Sequence, residues 1–371
     1  MAAGGPTIVI AAGGTGGHIY PGLALAEAIR KARPGTCVSF VGTARGMEGD
    51  LVPKAGYELD LVHMVPFNDQ GWRKALVPGS LARGAWESRR LLRRRGADVA
   101  VTMGGYSGVP LVVGARLAGV PAVVHEPGSV PGQANRLAAR FTSHVATSFP
   151  QTRFKGRDVR HVGYPLAPQM TAFDRERLRP EARAALRLEE GTSMILVTGG
   201  SQGALSLNLL ALGLAERWSA RRDVRIVLKA GARTHEQIAT ALEANPGRHL
   251  VELVRYIDRM DHAYAAADVA ICRAGAGTVA ELAIVQLPSV LVPLAHHEHD
   301  EQLHNAAHLV AAGGALLVRD ADADADHVGP LLEARLDDPA SLTAMREGMA
   351  VAARPHAADD LAAWVLELAT S

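Results

Sequence analysis

Four glycine-rich segments are able to hold a phosphate, and they are the strongest chemical signal in this 371-residue chain. Each segment follows a short apolar run and precedes a stretch of helix length. At such a junction, unpaired backbone N–H groups and the positive end of the helix dipole attract an anion. A tight turn that needs positive φ explains any single segment equally well, but four at strand ends favour a ligand site. The segments are 13–18, 104–108, 199–203 and 273–278.

The first glycine segment does not fit a nicotinamide dinucleotide. That ligand requires G-x-G-x-x-G after the first strand and a carboxylate about 20 residues later. Here Ile19 occupies the place of the third glycine, and the second apolar run ends at Val41-Gly42-Thr43 without a carboxylate. A nicotinamide-dependent oxidoreductase is therefore not predicted.

Histidine and glutamate residues beside these segments suit proton transfer. His18 ends the first segment at the start of a helix, where a neutral imidazole either removes a proton, contacts a phosphate or only caps the turn. His125 and Glu126 end another apolar run. They either supply a second base, orient a substrate or stabilise the structure alone.

No metal centre, cofactor or disulfide is predicted. His296, His297 and His299 are close in sequence, but they lie in a loop without the spacing of a zinc site. Cys37 and Cys272 lie too far apart in the chain for a metal-binding pair and form no disulfide framework.

Apolar runs alternate with helix-length segments along most of the chain, a pattern typical of βαβ units and parallel sheets. A first helix is predicted over 21–31, beginning at Pro21, and an amphipathic helix over 357–368. The acidic stretch 320–326 is predicted to be a solvated loop that leads into a helix. Strands are predicted at 7–12, 37–41, 98–103, 122–125, 144–147, 193–197, 224–229, 250–254, 268–272 and 289–293.

Length and composition indicate a globular protein of two domains. The two halves begin alike, with IVIAAGG at 8–14 and MILVTGG at 194–200. This weak repeat predicts an α/β fold with two Rossmann-like domains whose parallel sheets face a central cleft. The net charge of +1 gives no nucleic-acid footprint. Without a signal peptide or a run of about 18 apolar residues, a cytoplasmic location is predicted.

The order of the motifs resembles the MurG family, which transfers N-acetylglucosamine from a UDP donor to lipid I. The matching stretches are AAGGTGGHIYPGLAL (11–25), MGGY (103–106), HE (125–126), GGSQGA (199–204) and CRAGAGTVAE (272–281). The resemblance implies the GT-B fold and inversion at the anomeric carbon without an essential metal. It also implies an acceptor domain over 1–163, onto which helix 355–371 packs back, and a UDP-sugar domain over 164–354.

The resemblance implies catalytic and acceptor residues in the first domain. His18 and Glu126 are the predicted catalytic residues, and which of them is the general base stays open. The predicted acceptor-binding residues are Gly104, Gly105, Tyr106 and His125.

The resemblance also implies a set of donor-binding residues. Glu281 would accept hydrogen bonds from both ribose hydroxyls, residues 256–257 would form the uracil slot, and residues 201–203 would hold the diphosphate. Residues 301–302, together with Asn305, would contact the sugar. The donor set is Thr15, Gly16, Gly17, Ser201, Gln202, Gly203, Tyr256, Ile257, Arg273, Ala276, Gly277, Thr278, Glu281, Glu301 and Gln302.

Four departures from the family pattern concern the sugar, the diphosphate and the membrane. Gly128 replaces an asparagine associated with the donor sugar, Glu301 replaces a glutamine, and Ala167 replaces an arginine expected near the diphosphate. The membrane-docking segment 72–86 carries Ser80 and Arg83 at patch positions. Because the arginines within 89–95 still form a basic face, weak peripheral contact at the inner face of the membrane is predicted.

The predicted function is an inverting transfer of a sugar, N-acetylglucosamine in the first place, from a UDP donor to an acceptor hydroxyl or similar nucleophile. Two acceptors stay open: lipid I and a secondary metabolite. A UDP-sugar 2-epimerase of the same architecture and a non-catalytic UDP-sugar-binding protein are the alternatives. A donor-only reaction separates them, since an epimerase forms an epimer, a transferase slowly releases UDP and a binding protein turns over nothing.

Overall fold

The computed structural model describes residues 5–44, 46–64, 77–157, 159–200, 203–294 and 300–370. The chain divides into two compact units. Unit 1 comprises Met1–Pro168 with Arg354–Ser371, and unit 2 comprises Gln169–Ala353. Each unit has its own parallel sheet and its own hydrophobic core.

Strands and helices alternate through both units. The strands are β1 (Thr7–Ala11), β2 (Cys37–Gly42), β3 (Glu58–Leu61), β4 (Val99–Thr102), β5 (Ala122–Glu126), β6 (His144–Thr147), β7 (Val159–His161), β8 (Ser193–Thr198), β9 (Val224–Lys229), β10 (Val251–Val254), β11 (Val269–Cys272), β12 (Ser289–Leu291) and β13 (Ala315–Leu317). The helices are α1 (Gly16–Ala32), α2 (Glu48–Lys54), α3 (Val77–Arg95), α4 (Gly108–Ala118), α5 (Gln133–Ala138), α6 (Pro168–Thr171), α7 (Arg175–Ala185), α8 (Leu205–Arg217), α9 (His235–Glu243), α10 (Met260–Ala266), α11 (Ala276–Ile284), α12 (Glu301–Ala311), α13 (Ala325–Leu336), α14 (Pro339–Ala352) and α15 (Ala357–Leu368).

The two sheets have the same kind of topology. The sheet of unit 1 has the order β3-β2-β1-β4-β5-β6-β7, and the sheet of unit 2 has the order β10-β9-β8-β11-β12-β13. Neighbouring strands pair in parallel, and central strands such as β4, β5 and β11 are buried along their whole length. Near-continuous apolar runs are what a parallel sheet covered on both faces requires. The predicted α/β class with two Rossmann-like sheets is confirmed.

The last helix, α15, packs within unit 1, and its bounds match the predicted helix. Leu361 and Val365 are fully buried in the same core as β1 and α1. The Arg160 guanidinium lies 4.2 Å from the centre of the Trp364 ring, a cation–π contact that links β7 to α15.

Helix α1 begins five residues before the predicted start at Pro21. Thr15 is its extended N-cap, and the Thr15 carbonyl accepts from the backbone N–H groups of His18 and Ile19. Pro21 therefore lies inside the helix, where it has no N–H for the carbonyl of Gly17. The hydroxyl of the buried Tyr164 donates to that carbonyl instead, at 2.9 Å.

Tyr164→Phe should therefore lower the free energy of unfolding by about 0.5–1.5 kcal/mol, the usual net value of one hydrogen bond. In a Pro21→Ala background the same change should cost less, because the new N–H at position 21 can reach the Gly17 carbonyl. Urea unfolding of the four variants of this double-mutant cycle measures the coupling. If the two substitutions change the free energy of unfolding additively, then Tyr164 does not replace the N–H that is missing at position 21.

Other expectations need correction. The short strands β3, β7 and β13 were not predicted, because they lie towards the sheet edges and are only partly buried, without a strong apolar run. The stretch 320–326 leads into a helix, as predicted, but it is not simply a solvated loop. It contains a 3₁₀ helix, Asp320–Asp322, and the start of α13, whose N-cap Asp324 accepts from Asp326 N and His327 N.

One carboxylate in unit 2, Asp268, is surrounded by four guanidinium groups. Asp268 Oδ1 accepts from Arg179 at 2.7 Å and Arg175 at 3.4 Å, and Oδ2 accepts from Met194 N at 2.9 Å. Arg183 and Arg346 lie at ion-pair distances of 3.8 Å. This arginine cluster ties α7 and α14 to the beginning of β11.

Candidate active site

The glycine segments of unit 1 meet where the strand order of its sheet reverses. β1 and β4 are neighbours there, and the segments that follow them run in opposite directions across the sheet. Gly105 has φ 83°, and a Cβ on it would collide with the carbonyl of Gly13. Ligands of open α/β sheets bind at such reversal points. Thus the structure brings together residues 13–17 and 104–105, which the sequence analysis could name only separately.

The four helices that follow the glycine segments have no side-chain cap. Their N-caps are Thr15, Ser107, Ala204 and Gly275, for α1, α4, α8 and α11, and none accepts a capping hydrogen bond through its side chain. Asp side chains do cap α7, α13 and α14. Uncapped N-termini leave backbone N–H groups for an anionic ligand.

His18 lies in the first turn of α1, half-buried beside both glycine segments of unit 1. Its Nδ1 is 3.4 Å from Thr15 Oγ1, and a Cβ on Gly104 would lie 2.7 Å from its Cδ2. Burial lowers the pKa of His18 below its usual value, opposed by a hydrogen bond to the Gly13 carbonyl and by the charge of Glu48. The imidazole is therefore neutral near pH 7, the form that accepts a proton.

The structure does not support direct acceptor contact by His125. Its side chain is fully buried, and Nε2 lies 3.1 Å from the Gly163 carbonyl and 3.3 Å from Ser148 Oγ. Burial lowers its pKa to about 4. A side chain without exposed atoms can orient its neighbours, but it cannot touch a ligand in this conformation.

Glu126 is buried, and both carboxylate oxygens hold the loop that follows β5. Oε1 accepts from Gly128 N at 2.9 Å, while Oε2 accepts from Gly132 N and Asn135 Nδ2 at 3.0 Å. A carboxylate with these donors is poorly placed to remove a proton from a substrate. Between the two predicted catalytic residues, the geometry favours His18 as the base, and the role of Glu126 in chemistry stays a prediction.

The other predicted acceptor residues lie on the second glycine segment. Gly104 and Gly105 have φ values of 105° and 83°, which favour glycine, and Tyr106 is half-buried beside them. Their contact with an acceptor stays a prediction.

In unit 2 the predicted donor segments also lie at the reversal of strand order, between β8 and β11. Gly203 has φ 79°, and a Cβ there would collide with the Ala230 carbonyl, so only glycine allows this approach. Ala276, Gly277 and Thr278 form the first turn of α11. Ser201 and Gln202 lie outside the described residues.

Glu281, on α11, faces a tyrosine and a lysine. Its Oε2 accepts from Tyr264 Oη at 2.8 Å, which is the one hydrogen bond to this carboxylate in the described part of the chain. Burial raises the pKa of Glu281, whereas Tyr264 and Lys229 lower it. The remaining acceptor capacity of the carboxylate is available for ribose hydroxyls.

Lys229 ends β9 and is a residue that the sequence analysis missed. It is 8% exposed, and within the described ranges its side chain makes no hydrogen bond or ion pair within 4 Å. Its Nζ lies 5.4 Å from the centre of the exposed Tyr256 ring. Burial lowers the pKa of Lys229, and Glu281 opposes that shift. A buried cation between the predicted ribose carboxylate and the predicted uracil slot, residues 256–257, is a further candidate donor ligand.

Arg273 has partners inside unit 2. Its Nη1 donates to Asp320 Oδ1 at 2.6 Å and to the Val292 carbonyl at 3.1 Å, and Nη2 donates to Ser206 Oγ at 2.9 Å. Nε is buried without a partner in the described structure. Arg273 thus positions the loop after β11, and its direct contact with the donor stays a prediction.

The predicted sugar residues lie at the beginning of α12. Gln302 Oε1 accepts from Leu294 N at 2.9 Å, and the buried Asn305 donates to the Ala274 carbonyl at 3.1 Å. Glu301 is the first residue of the helix. These contacts tie α12 to the loops after β11 and β12, while the sugar contact of Glu301 stays a prediction.

The histidine cluster at 296, 297 and 299 lies outside the described residues. Within the described ranges, no group of three or more His, Cys, Asp or Glu side chains is arranged to hold a metal ion.

The predicted membrane segment is described only from residue 77 onwards. Ser80 is not at the surface: it is buried, with Oγ 3.9 Å from Met64 Sδ. Arg94 and Arg95 form ion pairs with Asp60, so part of the predicted basic face is already neutralised. Searched over the described residues, the chain has no helix that is long and apolar enough to span a membrane.

Glu48 is a second residue that sequence reasoning missed. It is fully buried under the first glycine segment and accepts three hydrogen bonds there. Its signal in the sequence is weak, since a glutamate after Gly-Met at the start of a short helix is ordinary. Only the fold brings it to residues 13–18.

Comparisons with known proteins identify the family of this chain. The family model for the glycosyltransferase family 28 N-terminal domain matches residues 8–147, and the model for the family 28 C-terminal domain matches residues 194–361.

Two relatives and one solved structure are similar over nearly their full lengths. A protein of Nocardioides sp. (strain ATCC BAA-499 / JS614) is 42% identical, covering 97% of this chain and 98% of its own length. One of Streptomyces coelicolor (strain ATCC BAA-471 / A3(2) / M145) is 40% identical, with 97% of each chain covered. Both are named UDP-N-acetylglucosamine--N-acetylmuramyl-(pentapeptide) pyrophosphoryl-undecaprenol N-acetylglucosamine transferase. The crystal structure of Acinetobacter baumannii MurG is 25% identical with a TM-score of 0.79, covering 98% of this chain and 99% of that one.

Proposed function

This chain belongs to glycosyltransferase family 28 and within it to the MurG family, and from that premise we propose that it transfers N-acetylglucosamine from a UDP donor to N-acetylmuramyl-(pentapeptide) pyrophosphoryl-undecaprenol. The single observation that carries the proposal is the pair of glycine-lined reversal points, one in each sheet. In the proposal unit 1 supplies the acceptor site and the base, and unit 2 supplies the UDP site.

The proposed reaction is a direct displacement. The neutral imidazole of His18 takes the proton of the acceptor hydroxyl, and the hydroxyl oxygen forms the new bond to the anomeric carbon. The bond from that carbon to the β-phosphate oxygen breaks, and its electron pair leaves with UDP. Attack on the face opposite the leaving group inverts the configuration.

The leaving diphosphate needs stabilisation while its negative charge develops. The uncapped N-termini of α8 and α11 offer backbone N–H groups and the positive ends of helix dipoles. Lys229, a buried ammonium without an anionic partner within 4 Å in the described residues, adds positive charge to the UDP site. These groups act without a metal ion or a cofactor in the proposal.

The rival functions are not favoured. A 2-epimerase or a binding protein without turnover would not explain relatives of about 40% identity that carry the name of the transferase. The same relatives favour lipid I over a secondary metabolite as the acceptor, since their names contain the lipid-linked acceptor. Gly128 and Glu301 remain the positions where this chain departs from the family's sugar-contact pattern, and Gly128 N is held by Glu126.

The proposed location follows from the acceptor. An undecaprenol chain keeps the acceptor in a membrane, so the enzyme works at the inner membrane face as a peripheral protein. Arg89, Arg90 and Arg93 on α3 would add electrostatic attraction to anionic lipid.

Transfer of radiolabelled N-acetylglucosamine to a lipid-linked N-acetylmuramyl-pentapeptide diphosphate tests the proposal. We expect an inverted disaccharide product and one UDP per product. A donor-only reaction is the control, and epimer formation in it would replace the transferase assignment. Slow donor hydrolysis without transfer to the lipid acceptor would retain the enzyme class and point to a soluble acceptor.

Glu281→Ala should weaken UDP binding by about 1.5–3 kcal/mol, the range for hydrogen bonds that involve a charged group. Wild-type protein should also bind 2′-deoxy-UDP more weakly than UDP. Calorimetry with both ligands measures this, and Tyr264→Phe is the matched control because it removes one neighbour of the carboxylate but keeps the carboxylate. Equal affinity of the wild type for both ligands would remove the ribose assignment.

A further inference from the structure

Glu48 places an ionisable carboxylate inside unit 1, between two loops. Its side chain is fully buried at the start of α2. Oε2 accepts from Gly14 N at 3.0 Å, and Oε1 accepts from Thr43 N at 2.9 Å and Thr43 Oγ1 at 3.2 Å. One carboxylate thus joins the segment after β1 to the segment after β2.

Three glycines make room for this carboxylate. A Cβ on Gly13 would lie 3.0 Å from Glu48 Oε1, and a Cβ on Gly42 would lie 2.5 Å from Glu48 Cγ. A Cβ on Gly46 would collide with Oε2. Gly13, which looks like a phosphate-binding residue in the sequence, therefore has a second purpose, which is to leave room for Glu48.

Among the described residues, no cation offsets the cost of burying Glu48. Its hydrogen bonds come from backbone and hydroxyl groups, and the described part of the chain places no Lys or Arg nitrogen within 4 Å of it. A buried charge without an ion pair is expensive, and apolar packing would stabilise the fold more cheaply. The carboxylate is therefore better explained by what it holds than by a contribution to stability.

What Glu48 holds is the segment that carries His18. Gly14 has φ 95°, and its N–H points to Glu48 rather than to another backbone group. The same segment continues through Thr15, the N-cap of α1, to His18 in the first turn. A shift of Gly14 would move both the uncapped helix start and the imidazole.

We propose that Glu48 is the positioning residue for the transfer reaction: by binding Gly14 and Thr43 it fixes the first glycine segment and holds His18 in place to take the acceptor proton. The inference rests on the proposed function, which makes His18 the base. Glu48 itself touches no substrate in this scheme.

The charge of Glu48 should affect the pKa of His18, and this effect can be measured separately from any effect on folding. The ionisable groups that act on His18 are Glu48 and His125, and the Gly13 carbonyl accepts a hydrogen bond from the ring. Since His125 is itself neutral near pH 7, Glu48 is the charge that favours the protonated imidazole. Removing that charge should lower the pKa of His18 further.

The decisive variant is Glu48→Gln. The amide keeps one oxygen but presents an NH₂ group to either Gly14 or Thr43, so one of the two loops loses its acceptor. We expect kcat to fall by about 10²-fold, the effect of misplacing a reacting group by about 1 Å. The acidic limb of kcat/KM against pH should move to lower pH.

Two variants serve as controls. Glu48→Asp keeps the charge, so the acidic limb should remain near its wild-type position while the rate is partly recovered. Asp98→Asn removes a carboxylate that accepts from Thr7 N at 2.7 Å, at the other end of β1. It should leave both the rate and the acidic limb unchanged.

A titration by NMR separates failure of this inference from failure of the proposed function. The His18 ring resonance, identified by its loss in His18→Ala, should titrate at lower pH in Glu48→Gln than in the wild type, whether or not the protein turns over. Absence of transfer in the wild type would reject the proposed function alone. The role of Glu48 would be overturned if the Glu48→Gln protein folds, its His18 titrates at the wild-type pH and its transfer rate equals that of the wild type. The same conclusion would follow if the rate were reduced only in proportion to the unfolded fraction.

Discussion

His18→Ala is expected to lower kcat/KM for transfer by about 10²- to 10⁴-fold, the range attributed to a positioned general base. The neutral imidazole lies in the first turn of α1 beside the two glycine segments of unit 1. Alanine cannot accept the acceptor proton, so the hydroxyl would have to attack without a base. UDP affinity should stay near its wild-type value, because the substitution leaves the backbone of residues 15–17 and the donor residues of unit 2 unchanged.

The pH profile sharpens this prediction. Burial lowers the pKa of His18 below its usual value of 6.5, so the neutral base persists into mildly acidic solution. Wild-type kcat/KM should therefore fall only below about pH 6.5, and His18→Ala should lose that limb. His161→Ala is the matched control, because His161 is also half-buried in unit 1 with its pKa lowered by burial. Activity of His18→Ala within a few-fold of the wild type would remove the base assignment.

Asp268→Asn is expected to lower the free energy of unfolding by about 3–5 kcal/mol, the cost of breaking a buried ion pair on one side. The amide keeps an oxygen for Met194 N, but the four guanidinium groups lose their shared negative charge. Burial and the neighbouring guanidinium groups already lower the pKa of Arg175 to about 10, which reflects how crowded the positive charge is. Urea unfolding of the full chain measures the change.

Two comparisons assign the cause of that loss. Asp223→Asn breaks the exposed pair with Arg221 in the same unit and should cost less than about 1 kcal/mol. Adding Arg346→Met to Asp268→Asn should restore part of the stability, because one unbalanced charge disappears. If the double variant is less stable than Asp268→Asn, then the stability lost in Asp268→Asn comes from hydrogen-bond geometry rather than from charge balance.

The sequence alone determined the features that depend on neighbours along the chain. Apolar runs that end in glycine predicted most of the central strands, because burial on both faces of a parallel sheet requires continuous apolar residues. The same local pattern located the four glycine segments, and the order of motifs identified the family. The predicted start of α1 at Pro21 was wrong. Proline usually marks the start of a helix, but here the hydroxyl of Tyr164, distant in sequence, donates to the Gly17 carbonyl in place of the N–H that Pro21 lacks.

Only the tertiary structure decided which side chains serve those segments. Glu48 lies 34 residues from Gly14, and Lys229 is separated by more than 25 residues from both Tyr256 and Glu281, so no periodicity connects them. Glu126, by contrast, looked catalytic in sequence but holds backbone donors of its own loop. The physical reason is that burial and hydrogen-bond satisfaction depend on strand order, which joins β1 to both β2 and β4 and thereby brings Glu48 and residues 104–105 to His18.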